Sequence, residues 1–479
     1  MKQLTLYIIA GSIMMLTSCN KFLDIKPKDK FIPTTETDYE NMLNSGTMVN
    51  YGDYFWDLLS DDAYLPEGNP GNLYSVQQVY GKRIYTFNIQ PYDLGANDYL
   101  WSEGYKRIFY CNTIINNILG STEGTEAEKK SARAEALLGR AMEHLQLVNV
   151  YAQHYDAATA ATEPGIPLAL IADINAKFTR NTVKEVYDQV ISDLNEALPD
   201  LPLKHKLTKF RACKAGAYAA LARTYLFMGD YVAAQQNSDL ALSLQSELAD
   251  MNQYQVIIPG PFPNVPGSPV GWTNIPDGQL NTETIVARHF LRPFGLGMSV
   301  CASPELTALF TSDDARWNLY YANGWPPAPP YNYMTRYGVR IFLRGDYFSN
   351  YLNVPEMYLT RAECYARSNN QTAALNDINT LRKNRIAAAT YKAFTPADFD
   401  NDANKVLQFV LDERRRELAF TGMRIIDLKR LNKEARFQKT YTHVAEGTTY
   451  TLAPGSNNYV RQLWPSATVF NADWPLNPE

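Results

Sequence analysis

The sequence predicts a mainly α-helical protein, with helical hairpins as the scaffold and a long, loop-rich insertion as the ligand face. Three observations carry this reading. Proline-free stretches repeat apolar residues at three- and four-residue spacing, the period of a helix with one buried face. Two segments share the small-residue register of a helical hairpin. Residues 250–350 break that pattern with prolines and aromatics.

In chain order, Met1-Lys2-Gln3 opens with one positive charge, Leu4 to Leu16 is uncharged and mostly apolar, and Thr17-Ser18-Cys19 follows. This is the pattern of a secretory signal over residues 1–18. The apolar run falls short of the about 20 residues that a spanning helix needs. Leu16-Thr17-Ser18-Cys19 resembles a bacterial lipobox, which makes Cys19 the lipidated N-terminus after cleavage. Several acyl chains on one residue anchor stably, whereas a single chain binds only marginally. Residues 19–50 read as tether and entry segment, because Lys26-Pro27-Lys28-Asp29-Lys30 favours extended chain.

Residues 51–479 read as a single domain. Its first 60 residues hold 15 aromatics broken by Pro66, Gly68, Pro70, Gly71, Gly81, Pro91 and Gly95, mostly loop until about Trp101. Helices are expected over about 101–250 and 351–435, among them Glu126 to His154 and Asn181 to Leu198. Leu221-Ala222, Tyr225, Gly229, Tyr231, Ala234, Ser238 and Ala241 fall in the register of a TPR-like (tetratricopeptide) hairpin. Ala362, Tyr365, Asn369, Ala374, Ile378 and Leu381 repeat it about 140 residues later, a separation that argues against one continuous solenoid. Between them, Tyr254 to Pro276 contains six prolines and Trp317 to Tyr337 seven aromatics. Long loops without their own secondary structure are usually functional. Further on, Leu407, Val410, Leu411 and Leu418 mark the buried face of a helix. Asp412 to Glu417 form its charged opposite face, with Arg414 to Arg416 paired to Asp412 or Glu417.

Composition narrows the function. The 479 residues carry 45 Lys plus Arg against 50 Asp plus Glu, a formal charge of −5. That balance gives no electrostatic reason to hold a polyphosphate backbone, so nucleic acid is set aside as the main ligand. Aromatics reach 12%, with Tyr the most frequent of them at 32. An apolar ring with a polar tip suits half-wet binding surfaces. Cys111, Cys213, Cys301 and Cys364 would permit two disulfides in an oxidising compartment. Cys111, Cys213 and Cys364 lie in helical patterns among apolar neighbours, which favours free buried thiols.

No nucleophile elbow, phosphate-binding loop, zinc-protease pair or EF-hand loop occurs. Gly295-Leu296-Gly297 lacks the third glycine of a dinucleotide site. His144, His154, His205, His289 and His443 are scattered without ligand spacing, which favours structural or surface roles and no metal.

Taken together, the motifs resemble the SusD/RagB family of nutrient-uptake outer membrane lipoproteins. Cys19 followed by Phe22-Leu23-Asp24-Ile25-Lys26-Pro27 is similar to its mature start, and Trp101, Tyr105, Ile108 and Asn112 to its early helix. Tyr358-Leu359-Thr360-Arg361-Ala362-Glu363 fits its L-x-R-A-E helix. Glu413 to Phe420 with Gly422, Arg424 and Asp427-Leu428 is close to its Glu-Arg-Arg signature, and Trp464-Pro465 with Asn477-Pro478 to its close. The resemblance implies a SusD-like fold and a non-enzymatic, lipid-anchored protein at the outer membrane of a Bacteroidetes-type bacterium, facing the exterior. It also implies a SusC-like TonB-dependent transporter as partner, glycan as ligand and no cofactor.

A glycan site needs rings for the sugar's C–H faces and amides or charged groups for its hydroxyls. The candidates are Tyr64, Asn72 and Tyr74 from the first aromatic region, and Trp272, Trp325 and Tyr331 from the insertion. Trp101, Phe109 and Tyr110 read as core. Peptide capture by the same architecture, RagB-like, is the alternative. A surface glycosidase, which needs two carboxylates about 5 to 9.5 Å apart, is the distant third.

Overall fold

Most helix starts follow side-chain capping. The computed structural model describes residues 32–51, 54–64, 76–257, 272–273, 276, 278–290, 301–323, 336–337 and 352–478. Helices α1 (Glu36–Leu43) and α2 (Val76–Tyr85) precede an array of α3 (Tyr99–Asn117), α4 (Glu126–Tyr151), α5 (Val183–Ala197), α6 (Lys214–Met228) and α7 (Tyr231–Leu244). After the insertion come α8 (Val354–Arg367), α9 (Gln371–Lys383), α10 (Ala403–Leu418) and α11 (Met423–Leu431). Thr35, Thr125 and Thr182 form capping boxes with Asp38, Glu128 and Glu185, so two free N–H groups are satisfied at each start. Gly229, at φ +78°, supplies the left-handed residue that ends α6, and Asp230 then caps α7.

Helix α4 is the axis of the core. Most of its 26 residues are buried, between α3 on one side and α5 on the other. Close approach is built in at Gly139, where an added Cβ would lie 3.1 Å from the Cys111 sulfur. Cys111, Cys213 and Cys364 are free and buried, as the composition suggested. Trp101 is core, while Phe109 and Tyr110 are only half-buried.

The two hairpins predicted from sequence are α6–α7 and α8–α9, with Ala222, Ala234, Ala362 and Ala374 fully buried. Their relation departs from expectation. Helix α8 packs directly on α7 and α6, and α10 packs on α8 and α9, so the array continues across the insertion. The physical reason is a local closure: Leu352–Asn353 pairs antiparallel with Thr284–Val286, and Val354 N donates to Glu283 O at 2.8 Å. The chain therefore returns beside the point where it left.

Two further expectations are corrected. The region before Trp101 holds more than loop among the described residues: a 3-10 turn at Tyr54–Leu59 and the ten-residue α2 interrupt it, and α3 begins at Tyr99. Helix α10 does not present a solvated charged face either. Glu413, Arg414, Arg416 and Glu417 are all buried. Arg414 pairs with Asp427, Arg415 with Asp61 and Asp62, and Arg416 with Glu413, partners other than the expected Asp412 and Glu417. A helix roofed by α11 on one side and by the insertion on another has little face left for water. Charges placed there need partners with matched geometry.

Among the described residues no helix is long and apolar enough to cross a membrane. Cys19 lies outside them.

Candidate functional site

Two-residue strands stitch the first aromatic region to the insertion. Asn50–Tyr51 runs parallel to His289–Phe290, and Ala63–Tyr64 runs antiparallel to Cys301–Ala302, with Tyr64 opposite Cys301. Ser303 N also donates to Asp62 O at 2.7 Å. Arg336–Tyr337 lies beside Cys301–Ala302 and pairs with Ala322–Asn323. The stretch 65–75 thus departs from a strand whose partner also neighbours the base of the 322–337 hairpin. Segments some 250 residues apart in sequence share one platform.

That platform rests on buried charge. Asp61 binds Arg424 at 2.7 and 2.9 Å and lies 3.3 Å from Arg415, while Arg415 binds Asp62 at 2.6 Å. Burial raises the pKa of Asp61, but Arg424, Arg415 and Lys439 outweigh it and hold the group well below the usual carboxylate range. For Asp62, burial wins with help from the neighbouring Asp61 charge, and its pKa lies above the ordinary value. The hairpin Tyr441–Ala445/Thr448–Leu452 clamps the same segment: Tyr441 Oη donates to Leu59 O at 2.5 Å, and His443 Nε2 lies 3.1 Å from Ser60 O.

Of the predicted contacts, Tyr64 stands half-buried on the platform strand. Trp272 lies in a short strand with its partner Ile257 opposite. Asn72, Tyr74, Trp325 and Tyr331 lie outside the described residues. Asn72 and Tyr74 belong to the stretch that leaves Tyr64, and Trp325 and Tyr331 to the stretch between Asn323 and Arg336. The groups that sequence reasoning missed are Asp57, Asp61 and Asp62. They sit between aromatic residues with no local pattern that marks them as partners of a helix more than 350 positions later. Their one signal was the unusual density of arginines in the Glu413–Phe420 signature.

A cavity of about 40 Å³ lies between Trp56, Met142, Asn149, Phe227 and Gly422. It has room for a few waters, far below the about 300 Å³ at which ligand sites begin. No trio of His, Cys, Asp or Glu placed to hold a metal occurs among the described residues.

Two family models match the chain in order. One, described as "Starch-binding associating with outer membrane", matches residues 21–226, and the other, the SusD family, matches residues 354–470. A SusD-like protein of Bacteroides ovatus is 26% identical over 232 residues, 46% of this chain, and the match spans only 39% of that relative. SusD-like protein P38 of Formosa agariphila is 22% identical, with 89% of this chain and 91% of that one covered. A putative sugar binding protein of Bacteroides vulgatus superposes with a TM-score of 0.69 at 19% identity, over 94% of this chain and 99% of that one. A laminarin binding SusD-like protein gives 0.62 at 17% identity, over 93% and 100%. At these identities the structural likeness carries the fold, and the family models carry the kinship. Matched by them over about two thirds of its length and folded as these proteins are, the chain belongs to the SusD/RagB family.

Proposed function

We propose that this protein captures glycan at the cell surface and hands it to a SusC-like TonB-dependent transporter, without catalysing a reaction. Lipid on Cys19 anchors it to the outer membrane, facing the exterior. The observation that carries the reading is the convergence of both aromatic-rich segments on the platform of Ala63–Tyr64, Cys301–Ala302 and Arg336–Tyr337. Helices bury their own apolar stripes, so rings for sugar faces must come from such loops. Tyr64, Asn72, Tyr74, Trp272, Trp325 and Tyr331 are the proposed contacts. The names of the sugar-binding and laminarin-binding neighbours support the ligand class.

The test is affinity electrophoresis and calorimetry of residues 20–479 against starch, laminarin, other polysaccharides and peptides. Retention by a glycan, lost in Trp325→Ala or Trp272→Ala with unchanged circular dichroism, is the expected result. Heat released only with peptides would replace glycan with peptide as the ligand. Silence throughout would remove the capture role.

A further inference from the structure

The signature at the end of α10 does more than stabilise the scaffold. Phe420, in the turn between α10 and α11, has φ +58° and is buried. A bulky residue in the left-handed region costs of order 1 to 3 kcal/mol and persists only where its surroundings hold it. Here the ring meets Tyr321 of the insertion edge-on, with centroids 6.4 Å apart. Tyr321 in turn joins a cluster with Trp317 and Phe310, at 5.2 and 5.4 Å.

One turn earlier in the insertion, Arg316 is completely buried. Its guanidinium binds Asp314 at 2.7 and 2.9 Å and also meets Glu413 and Glu417 of α10, each at 2.8 Å. Two unlike attachments, one aromatic and one ionic, therefore run from the same signature to the same short segment. That segment leads straight into Ala322–Asn323, the first strand of the hairpin that closes at Arg336–Tyr337. A buried ion pair contributes little net stability over an apolar pair, yet displacing one partner strands a buried charge, which is costly.

We infer that the Glu413–Gly422 signature is a mount for the insertion hairpin, in which Arg316 and Phe420 are positioning residues that set how the hairpin leaves the scaffold and so tune ligand affinity. What the hairpin does rests on the capture reading above, whereas how it is held does not. Neither residue touches ligand in this scheme.

The experiment compares wild type, Phe420→Gly, Phe420→Tyr and Arg316→Lys by amide exchange and by calorimetry with laminarin and starch. Glycine suits φ +58° and relieves strain, which offsets part of the loss of the buried ring, and unchanged circular dichroism is the check that Phe420→Gly keeps its fold. Exchange in residues 315–323 should then rise at least tenfold, with α4 and α6 unchanged and affinity for the bound glycan down at least tenfold. Phe420→Tyr should restore both readouts. Arg316→Lys, which keeps charge but not the fork, should show the same local pattern more weakly. Unchanged exchange in 315–323 on Phe420→Gly would overturn the mount. Raised exchange with unaltered affinity for a glycan that binds would overturn the positioning role. Raised exchange in a protein that binds neither glycan would uphold the mount and count against capture.

Discussion

The ammonium of Lys429 lies 2.6 Å from the carbonyl oxygen of Asn149 and 2.8 Å from that of Ala152, and so closes the carboxyl end of α4 from another helix. Burial, with a smaller push from Lys433, lowers its pKa to about 7. Between pH 7 and the unfolded value of about 10.4 the unfolded chain binds more protons at this site, so its contribution to stability rises with pH. Lys429→Met leaves two helix-end carbonyls without a donor, an expected loss of about 2 kcal/mol. The gap in urea midpoint between wild type and variant should widen from pH 7 to pH 9. A gap independent of pH would show that the lysine keeps its ordinary pKa.

Acid should act through the buried imidazoles. Burial lowers His144 to about 3, with Arg140 adding to the shift, and lowers His154 well below its ordinary value. A base whose folded pKa is depressed keeps full stability above the unfolded value near 6.5 and loses it as pH falls below. At pH 5 the His144 term alone amounts to about 2 kcal/mol. Neither ring nitrogen of His144 has a hydrogen-bond partner among the described residues. His144→Leu should therefore flatten the melting temperature between pH 7.5 and 5, as calorimetry would read.

Arg140 grips Asp193 with two bonds of 2.8 and 2.7 Å and donates to Asn112 Oδ1 at 2.9 Å, so it ties α4 to α5 and α3. Arg140→Met leaves the buried Asp193 carboxylate without its counter-charge, with Gln189 as a remaining donor at 2.7 Å, and should cost about 3 kcal/mol. The double variant Arg140→Met/Asp193→Leu should recover much of that. Equal losses in single and double variants, from denaturation curves, would mean that lost packing dominates.

The closing Asn477 is bound from four places. Its amide donates to Tyr151 O at 2.9 Å and to Arg461 O at 2.7 Å, its backbone N donates to Gln462, and Arg180 reaches its side-chain oxygen. Asn477→Ala should lower stability by about 2 to 3 kcal/mol, since Arg180 and two carbonyls lose partners together. Thermal melts would check this, with Leu476→Ala, an exposed neighbour, as the unaffected control.

What could be read from the sequence was whatever is encoded within a few residues. The Ala- and Leu-rich run from Glu126 to His154 marks a helix, Gly229-Asp230 marks a turn, and Ala222 with Ala234 marks close helix packing. Helix α2 escaped because Gly81 and a polar stretch hide its short pattern. Arg414 to Arg416 misled because three- and four-residue spacing reports neighbours on one helix, whereas their partners Asp61, Asp62 and Asp427 come from elsewhere. The pairing of Tyr64 with Cys301 involves two residues on each side, too few for any alternation to show. The candidate site was legible as composition, through its aromatics, and illegible as geometry.

The antiparallel closures at Thr284–Val286/Leu352–Asn353 and, nested within it, Ala322–Asn323/Arg336–Tyr337 have a consequence for how such a chain diversifies. Each brings the two ends of an excursion to adjacent backbone positions before the excursion itself matters. Doubling the length of such an excursion costs only about 0.6 kcal/mol of closure entropy. Stretches of different length and sequence between Asn323 and Arg336 are therefore interchangeable cassettes, whereas the outer stretch carries Cys301–Ala302 and Arg316, which the scaffold holds in place. A recombination event, or an engineer, could exchange one for another while every helix junction stays in register.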